Sequence, residues 1–493
     1  MGVKVLLLYP NKWGRGITPI WAASHAAHLR RGGHEVRFFD CTFYTSWSSK
    51  ENNFNTRNNQ YRPSGYEEAV SWRDTDVVED LVSTLNEFRP DVVASGGITS
   101  QIHGEGEYIN PILANTLISN VRESVRLTWT EWLFTPLGLY PTYAASHKNQ
   151  YIEQADISLC GETEVTLKKV CDYLAERSVE LARGVEIQEY VAKVNRLHAT
   201  RSSENIDIPY DYSIFPNQLF LRAYHGQIVR AADYEISRGC PYTCSYCVET
   251  AIQDYYGYEE SNENGLLLKR GYLVGKTEET VLEELESLCK KHEVRFIRFQ
   301  DTNFLSNNRR VLGRIASYLL QIKEREGITV STYIETRPES ISASTIRILK
   351  SLNVAGVGMG VEASSDKFRY DELSRSLTNR TCINAFRLLR DAGICRTAYN
   401  VIGFPSQTSK EVEELIELNA QLDPDDITVA FYTPYPGTAL GSRHTTNAQN
   451  LSELITGESD PQLSSTSGFS SMSKDELLYY KHNFVSLCRQ KRQ

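Results

Sequence analysis

The chain has 493 residues, 41% hydrophobic and 23% charged, with a formal net charge of −9. These proportions exclude a disordered chain, the length allows about two to four domains, and no apolar run reaches the roughly 18 residues of a membrane span. The acidic balance, without a long basic tract, excludes nucleic acid as the expected main partner, since phosphate binding needs clustered Lys and Arg.

The start, with a short apolar run Val5–Leu8, carries neither a basic region before that run nor a small-residue cleavage site after it, so the cytoplasm is the expected location. Val3–Tyr9 reads as a buried strand, Thr18 and Pro19 open a helix that Gly32 and Gly33 close, and Glu35–Asp40 is a second strand. A polar loop or insertion spans Thr45–Ser64, a helix Asp76–Phe88 leads to a strand Asp91–Ser95, and Gly96 and Gly97 follow directly. A helix Ile112–Val125, a strand Arg126–Thr130, a strand Asp156–Leu159 and a helix Thr166–Leu174 continue the alternation. Residues 1–180 are therefore expected to form a doubly wound, Rossmann-like α/β domain.

Charged and turn-rich sequence at 181–218 reads as a linker. Strands then alternate with helices again: Tyr234–Ser237, Val294–Phe299, Thr329–Glu335, Gly356–Val361, Thr397–Ile402 and Ile427–Phe431. This succession predicts a partial (β/α)6 TIM-like barrel over 219–445. Residues 446–493 supply a Ser- and Thr-rich loop and a last helix opened by the capping box Ser473-Lys-Asp-Glu476.

Of the ten cysteines, Cys240, Cys244 and Cys247 cluster as Cys-x3-Cys-x2-Cys just after the first barrel strand, with Gly239 and Pro241 bending the chain. Zinc sites close with four ligands and ferredoxin-type clusters take four thiolates, and no second pair completes either. Three thiolates leave one iron of a [4Fe-4S] cluster open to a small molecule.

Cys240-Pro-Tyr-Thr-Cys244-Ser-Tyr-Cys247 resembles the signature loop of the radical S-adenosylmethionine enzymes. The resemblance implies that the open iron chelates S-adenosylmethionine and that Tyr246 lies beside its adenine. It further implies that Phe299–Phe304, through Asp301, reaches the methionine amino group. Glu335 and Arg337 end the third barrel strand and Glu362 and Ser364 the fourth, at the carboxyl edge where barrel sites lie, and by the resemblance Glu362 and Ser364 could hydrogen-bond ribose or carboxylate. The plainer reading of Glu335, Arg337 and Glu362 is an ion pair closing the barrel mouth. Asn400 and Gly403 end the fifth strand, where the glycine allows close approach to adenine, and Tyr432, Tyr435 and His444 near the sixth could line a substrate pocket.

The first domain is similar to the cobalamin-binding domain of cobalamin-dependent members of this family. By that resemblance Gly96, Gly97, Thr99, Ser100, Gln101 and Gly161 could touch the corrin or its nucleotide tail. Two features depart from the pattern: there is no Asp-x-His-x-x-Gly, and Gly138–Thr142 keeps only part of a paired-glycine loop. His103 is the histidine to test as a cobalt contact, while His25, His28 and His34 read as surface or helix-face residues. The resemblance implies methylation of an unreactive carbon or phosphorus centre of a small molecule, with an external electron donor such as flavodoxin or ferredoxin. The competing readings are a cyclisation, oxidation or rearrangement with the same cofactors, and an iron-sulfur electron-transfer or sensing protein.

Overall fold

The computed structural model describes residues 2–14, 16–50, 62–96, 110–132, 155–177, 185–197, 201–257, 272–432, 437–443 and 470–492. A first sheet is built from β1 (Lys4–Tyr9), β2 (Glu35–Asp40), β3 (Val92–Gly96), β4 (Leu127–Glu131) and β5 (Ile157–Leu159). Its spatial order is β2-β1-β3-β4-β5, and every pairing is parallel. That is a doubly wound order, with its switch point between the carboxyl ends of β1 and β3.

The helix Ile20–Arg31 is buried along nearly its whole length, from Ile20 to Leu29. One side packs on the first sheet, while the other receives the connector, whose Asp211 N–H donates to Ala23 O at 3.0 Å. This double cover buries His25 and His28, and His34, beyond the helix, is buried against Val3 and Asp172, whereas the sequence pattern read all three as surface or helix-face residues.

The second sheet is a curled half-barrel of seven strands: β6 (Leu221–Tyr224), β7 (Gln227–Tyr234), β8 (Phe296–Phe299), β9 (Ser331–Thr336), β10 (Val354–Glu362), β11 (Cys395–Ile402) and β12 (Asp426–Phe431), ordered β12-β11-β10-β9-β8-β7-β6. All pairings are parallel except that of β6 with β7, a hairpin. Its two-residue turn, His225 and Gly226, takes φ of 49° and 78°, the left-handed pair that matches strand twist. The first barrel strand thus ends at Tyr234 rather than beginning there, because residues 227–230 pair with β6 and residues 231–234 with β8. Ser237–Arg238 instead pairs antiparallel with Val274–Gly275 and leads into the cysteine loop.

The stretch read as a linker contains the helix Val185–Leu197. It also sends Ile206, Ile208, Tyr210, Tyr212 and Phe215 into a core shared by both sheets. Charged residues hid this because its apolar side chains follow no single period. The final helix, Lys474–Lys491, has the expected capping box from Ser473 and Glu476. It buries Leu477, Phe484 and Val485 in that core. Among the described residues no helix is long and apolar enough to cross a membrane.

Candidate active site

The cysteine loop leaves the barrel between β7 and the helix Val248–Tyr255, whose N-cap is Cys247. Gly239 takes φ of 102°, and a Cβ there would stand 2.5 Å from the Arg201 guanidinium and 3.0 Å from Tyr272 O. Only glycine fits both the left-handed backbone and that contact. Asp301, fully buried at the end of β8, accepts the Ser237 N–H at 2.7 Å, the Ser237 hydroxyl at 2.6 Å and the Ile236 N–H at 3.2 Å. Thr302 and Asn307 both donate to Gly239 O, at 2.8 and 2.9 Å. Glu249 accepts the Cys240 N–H at 2.9 Å, and Gln253 donates to Cys240 O and Tyr242 O at 3.0 and 2.9 Å. From the far side, Ser245 N–H donates to Leu373 O at 3.1 Å.

The loop is therefore held by its backbone, leaving the thiols for other work. Burial, and then the nearby Glu249 carboxylate, push the Cys240 thiol up to about 12. Burial, and then Cys244, push Cys247 well above the usual thiol range. Arg337 reaches Cys244 Sγ with Nη1 at 3.5 Å and lies 3.8 Å over the Tyr242 ring. Among the described residues no group of His, Cys, Asp or Glu is arranged to hold a single metal ion. A four-iron cluster asks for a wider spread, since each thiolate takes a different iron. Deprotonated together, these three sulfurs would repel one another unless a cationic iron core lay between them, and the Arg337 guanidinium offsets the remaining thiolate charge, so the donor set fits the cluster.

The other expected residues divide into two groups. Tyr246 and Glu362 lie together with Arg375, whose Nη1 stands 2.9 Å from the Glu362 carboxylate and 3.4 Å from the Tyr246 hydroxyl. Glu362 has φ of 66°, a conformation that costs energy for a residue with a Cβ and marks places where geometry is imposed. Arg375 was not singled out from sequence, because it follows a short helix and belongs to no strand-end pattern. No single ion pair closes the mouth: Arg298 pairs with Glu335 at 3.0 Å, Arg337 with Glu339 at 2.6 Å, and Arg375 with Glu362 at 2.9 Å. Glu335 also accepts the Tyr399 hydroxyl at 3.1 Å.

Asp301, Asn400, Gly403 and Ser364 face the protein. Asp301 spends its oxygens on the loop and on Asn308, and its burial raises its pKa to about 6. Asn400 exchanges reciprocal amide hydrogen bonds with Asn419 at 3.1 and 2.7 Å. Gly403, at φ of 84°, donates its N–H to Gln407 at 2.7 Å. Ser364 is buried and its carbonyl accepts from Asn379 at 2.8 Å.

In the first sheet, a Cβ on Gly96 would stand 2.6 Å from Glu131 Cγ, and one on Gly161, at φ of 108°, 3.2 Å from the Tyr256 hydroxyl. Glu131 faces His25 at 2.9 Å. Gly97, Thr99, Ser100, Gln101, His103, Gly138–Thr142, Tyr435 and His444 lie outside the described residues.

Residues 234–418 match the family model of the Radical SAM superfamily. The barrel is a radical SAM domain. The chain is 25% identical over 364 residues to an uncharacterized methyltransferase of Pyrococcus horikoshii, covering 73% of this chain and 71% of that protein. It is 24% identical to the anaerobic magnesium-protoporphyrin IX monomethyl ester cyclase of Cereibacter sphaeroides, covering 73% of this chain and 54% of the cyclase. The fold is that of the radical S-adenosylmethionine methyltransferase TsrM from Kitasatospora setae, solved with cobalamin and a [4Fe-4S] cluster: TM-score 0.60, 14% identity, covering 90% of this chain and 78% of TsrM. In the radical SAM barrel here, the cysteine loop and the Tyr246, Glu362 and Arg375 group occupy the carboxyl edge of the strands, where barrel sites lie.

Proposed function

We propose that this chain reductively cleaves S-adenosylmethionine at a [4Fe-4S] cluster held by Cys240, Cys244 and Cys247, and with cobalamin methylates an unactivated carbon or phosphorus centre of a small molecule. The observation that carries the reading is one backbone-anchored loop presenting three thiols beside Arg337 at the mouth of a radical SAM barrel. When bound, the cluster supplies one electron to break a carbon–sulfur bond of S-adenosylmethionine, giving methionine and a 5′-deoxyadenosyl radical. Asp301, Glu249 and Gln253 hold the loop backbone, and Arg337 and Arg375 place positive charge beside the thiols and Tyr246.

The doubly wound order of the first sheet supports a ligand at its carboxyl edge. The similarity to a cobalamin-bound methyltransferase supports a corrin there, and one to a methyltransferase of Pyrococcus horikoshii supports methyl transfer. The reading includes a cytoplasmic location and a one-electron donor of the flavodoxin or ferredoxin kind. Similarity to a cyclase favours a second reading, cyclisation without methyl transfer.

The test is anaerobic reconstitution with iron and sulfide, then dithionite and S-adenosylmethionine, with and without hydroxocobalamin. Formation of 5′-deoxyadenosine together with corrin-dependent S-adenosylhomocysteine is expected. Cleavage without S-adenosylhomocysteine selects the second reading, and Cys244→Ala behaving as wild type removes both.

A further inference from the structure

Gly161, expected to touch a corrin, lies in a segment, Cys160–Glu164, that makes contacts of another kind. Gly161 packs against Tyr256, and the Tyr256 hydroxyl accepts the Glu162 N–H at 3.0 Å. Tyr255 donates its hydroxyl to Cys160 O at 2.9 Å. Both tyrosines close the helix that begins at Cys247.

Side chains repeat the link. Glu162 Oε1 stands 3.0 Å from Arg201 Nε, and Arg201 Nη1 stands 3.8 Å from Glu249 Oε1, the atom that accepts the Cys240 N–H. All three side chains are at most 3% exposed. Beside them Arg238, fully buried, stands 2.8 Å from Glu164 and 2.8 Å from Glu235. Arg201 reaches its place over Gly239, where a side chain would collide with it.

Buried ion pairs gain little stability over apolar packing once desolvation is counted, so stability alone is a poor reason for so many charges here. Their effect is positional: the buried Arg201 guanidinium, 4.4 Å over the Tyr272 ring, stands between two carboxylates and holds each by charge, without a hydrogen bond from its Nε or Nη1 among the described residues. We propose that Glu162 and Arg201 are positioning residues that hold the cysteine loop from the first sheet, through Glu249 and the Cys240 N–H. The inference rests on the cluster reading above. It makes the loop's geometry a property of both sheets, so that a ligand on the first sheet's carboxyl edge is linked to the thiols by a rigid path.

The test uses the full-length, reconstituted chain and reads the electron paramagnetic resonance spectrum of the reduced cluster and the dissociation constant for S-adenosylmethionine. Glu162→Gln and Arg201→Lys are expected to retain iron, alter the spectrum and weaken binding about tenfold, as loss of groups that orient metal ligands does. His34→Gln removes a buried polar link inside the first sheet, to the Val3 N–H at 3.2 Å and Asp172 at 3.1 Å, and is expected to change neither. Tyr256→Phe keeps every charge and is expected to shift both readouts less, in the same direction; it carries the test if Glu162→Gln does not fold. Wild-type spectra and affinity in the folded variants overturn the inference, as does an equal change in His34→Gln. Full iron in Cys244→Ser instead overturns the cluster reading itself.

Discussion

The two sheets use their carboxyl edges differently. At the barrel mouth, side chains that face inward hold a loop whose thiols remain available: Asp301, Thr302, Asn307 and Gln253 all engage backbone atoms. At the first sheet, the described strand ends turn toward the protein: Gly96 accommodates Glu131, and Gly161 accommodates Tyr256. A glycine after a strand thus reports that something comes close, without saying whether it is a ligand or a neighbouring element.

The largest expected effect separates these roles. Arg238→Met strands Glu164 and Glu235 as uncompensated buried carboxylates and is expected to cost about 3–5 kcal/mol in denaturant unfolding. Arg337→Met, at the barrel mouth, removes an ion pair to one partly exposed carboxylate along with contacts to the Tyr242 ring and Cys244 Sγ, and is expected to cost only about 1 kcal/mol while weakening S-adenosylmethionine binding. Equal stability losses would erase the distinction between a structural boundary and a binding mouth.

The next effect is set by pH. Burial alone would lower the His25 pKa, but Glu131, 2.9 Å away, with Glu164 and the Trp21 carbonyl, raises it from 6.5 to about 9. A raised folded-state value means the native chain holds a proton that the unfolded chain gives up. This stabilisation is complete below pH 6.5 and lost as pH rises through about 9, on the order of 3 kcal/mol in all. His25→Gln is expected to flatten that part of the stability profile, and an unchanged slope would place the titrating group elsewhere. At the barrel mouth, Asp301→Asn is expected to cost about 2 kcal/mol and reduce iron retention, since an amide nitrogen then faces backbone donors.

Much of this organisation was legible in the sequence. Apolar runs and Gly/Pro punctuation located both sheets, because parallel strands buried on both faces read as continuous apolar stretches. The cysteine loop was legible because three thiols within eight residues constrain the chemistry without help from the fold. Arg375 and Arg201 were not, since each acts at a distance in sequence, toward Glu362 and Tyr246 or toward Glu162 and Glu249. The burial of His25 and His28 was hidden for the same reason: their helix is covered on its second side by a connector whose own pattern is irregular.

The smallest effect tests the first sheet's edge directly. Gly96→Ala places a methyl 2.6 Å from Glu131 Cγ, and Glu131 cannot simply swing away, because His25 stands 2.9 Å from one carboxylate oxygen and Trp129 Nε1 donates to the other at 3.1 Å. Relief through a small shift of that side chain is expected to cost about 1 kcal/mol. If the crowding is with Glu131, the cost disappears when Gly96→Ala is made in a Glu131→Ala background, because the two sites share one contact and their effects do not add. A glycine kept for close approach to a corrin behaves oppositely: Gly96→Ala leaves unfolding unchanged and lowers bound corrin, and Glu131→Ala does not restore it. The double-mutant cycle, read by unfolding and by corrin stoichiometry, therefore decides whether that strand end serves its own fold or a ligand.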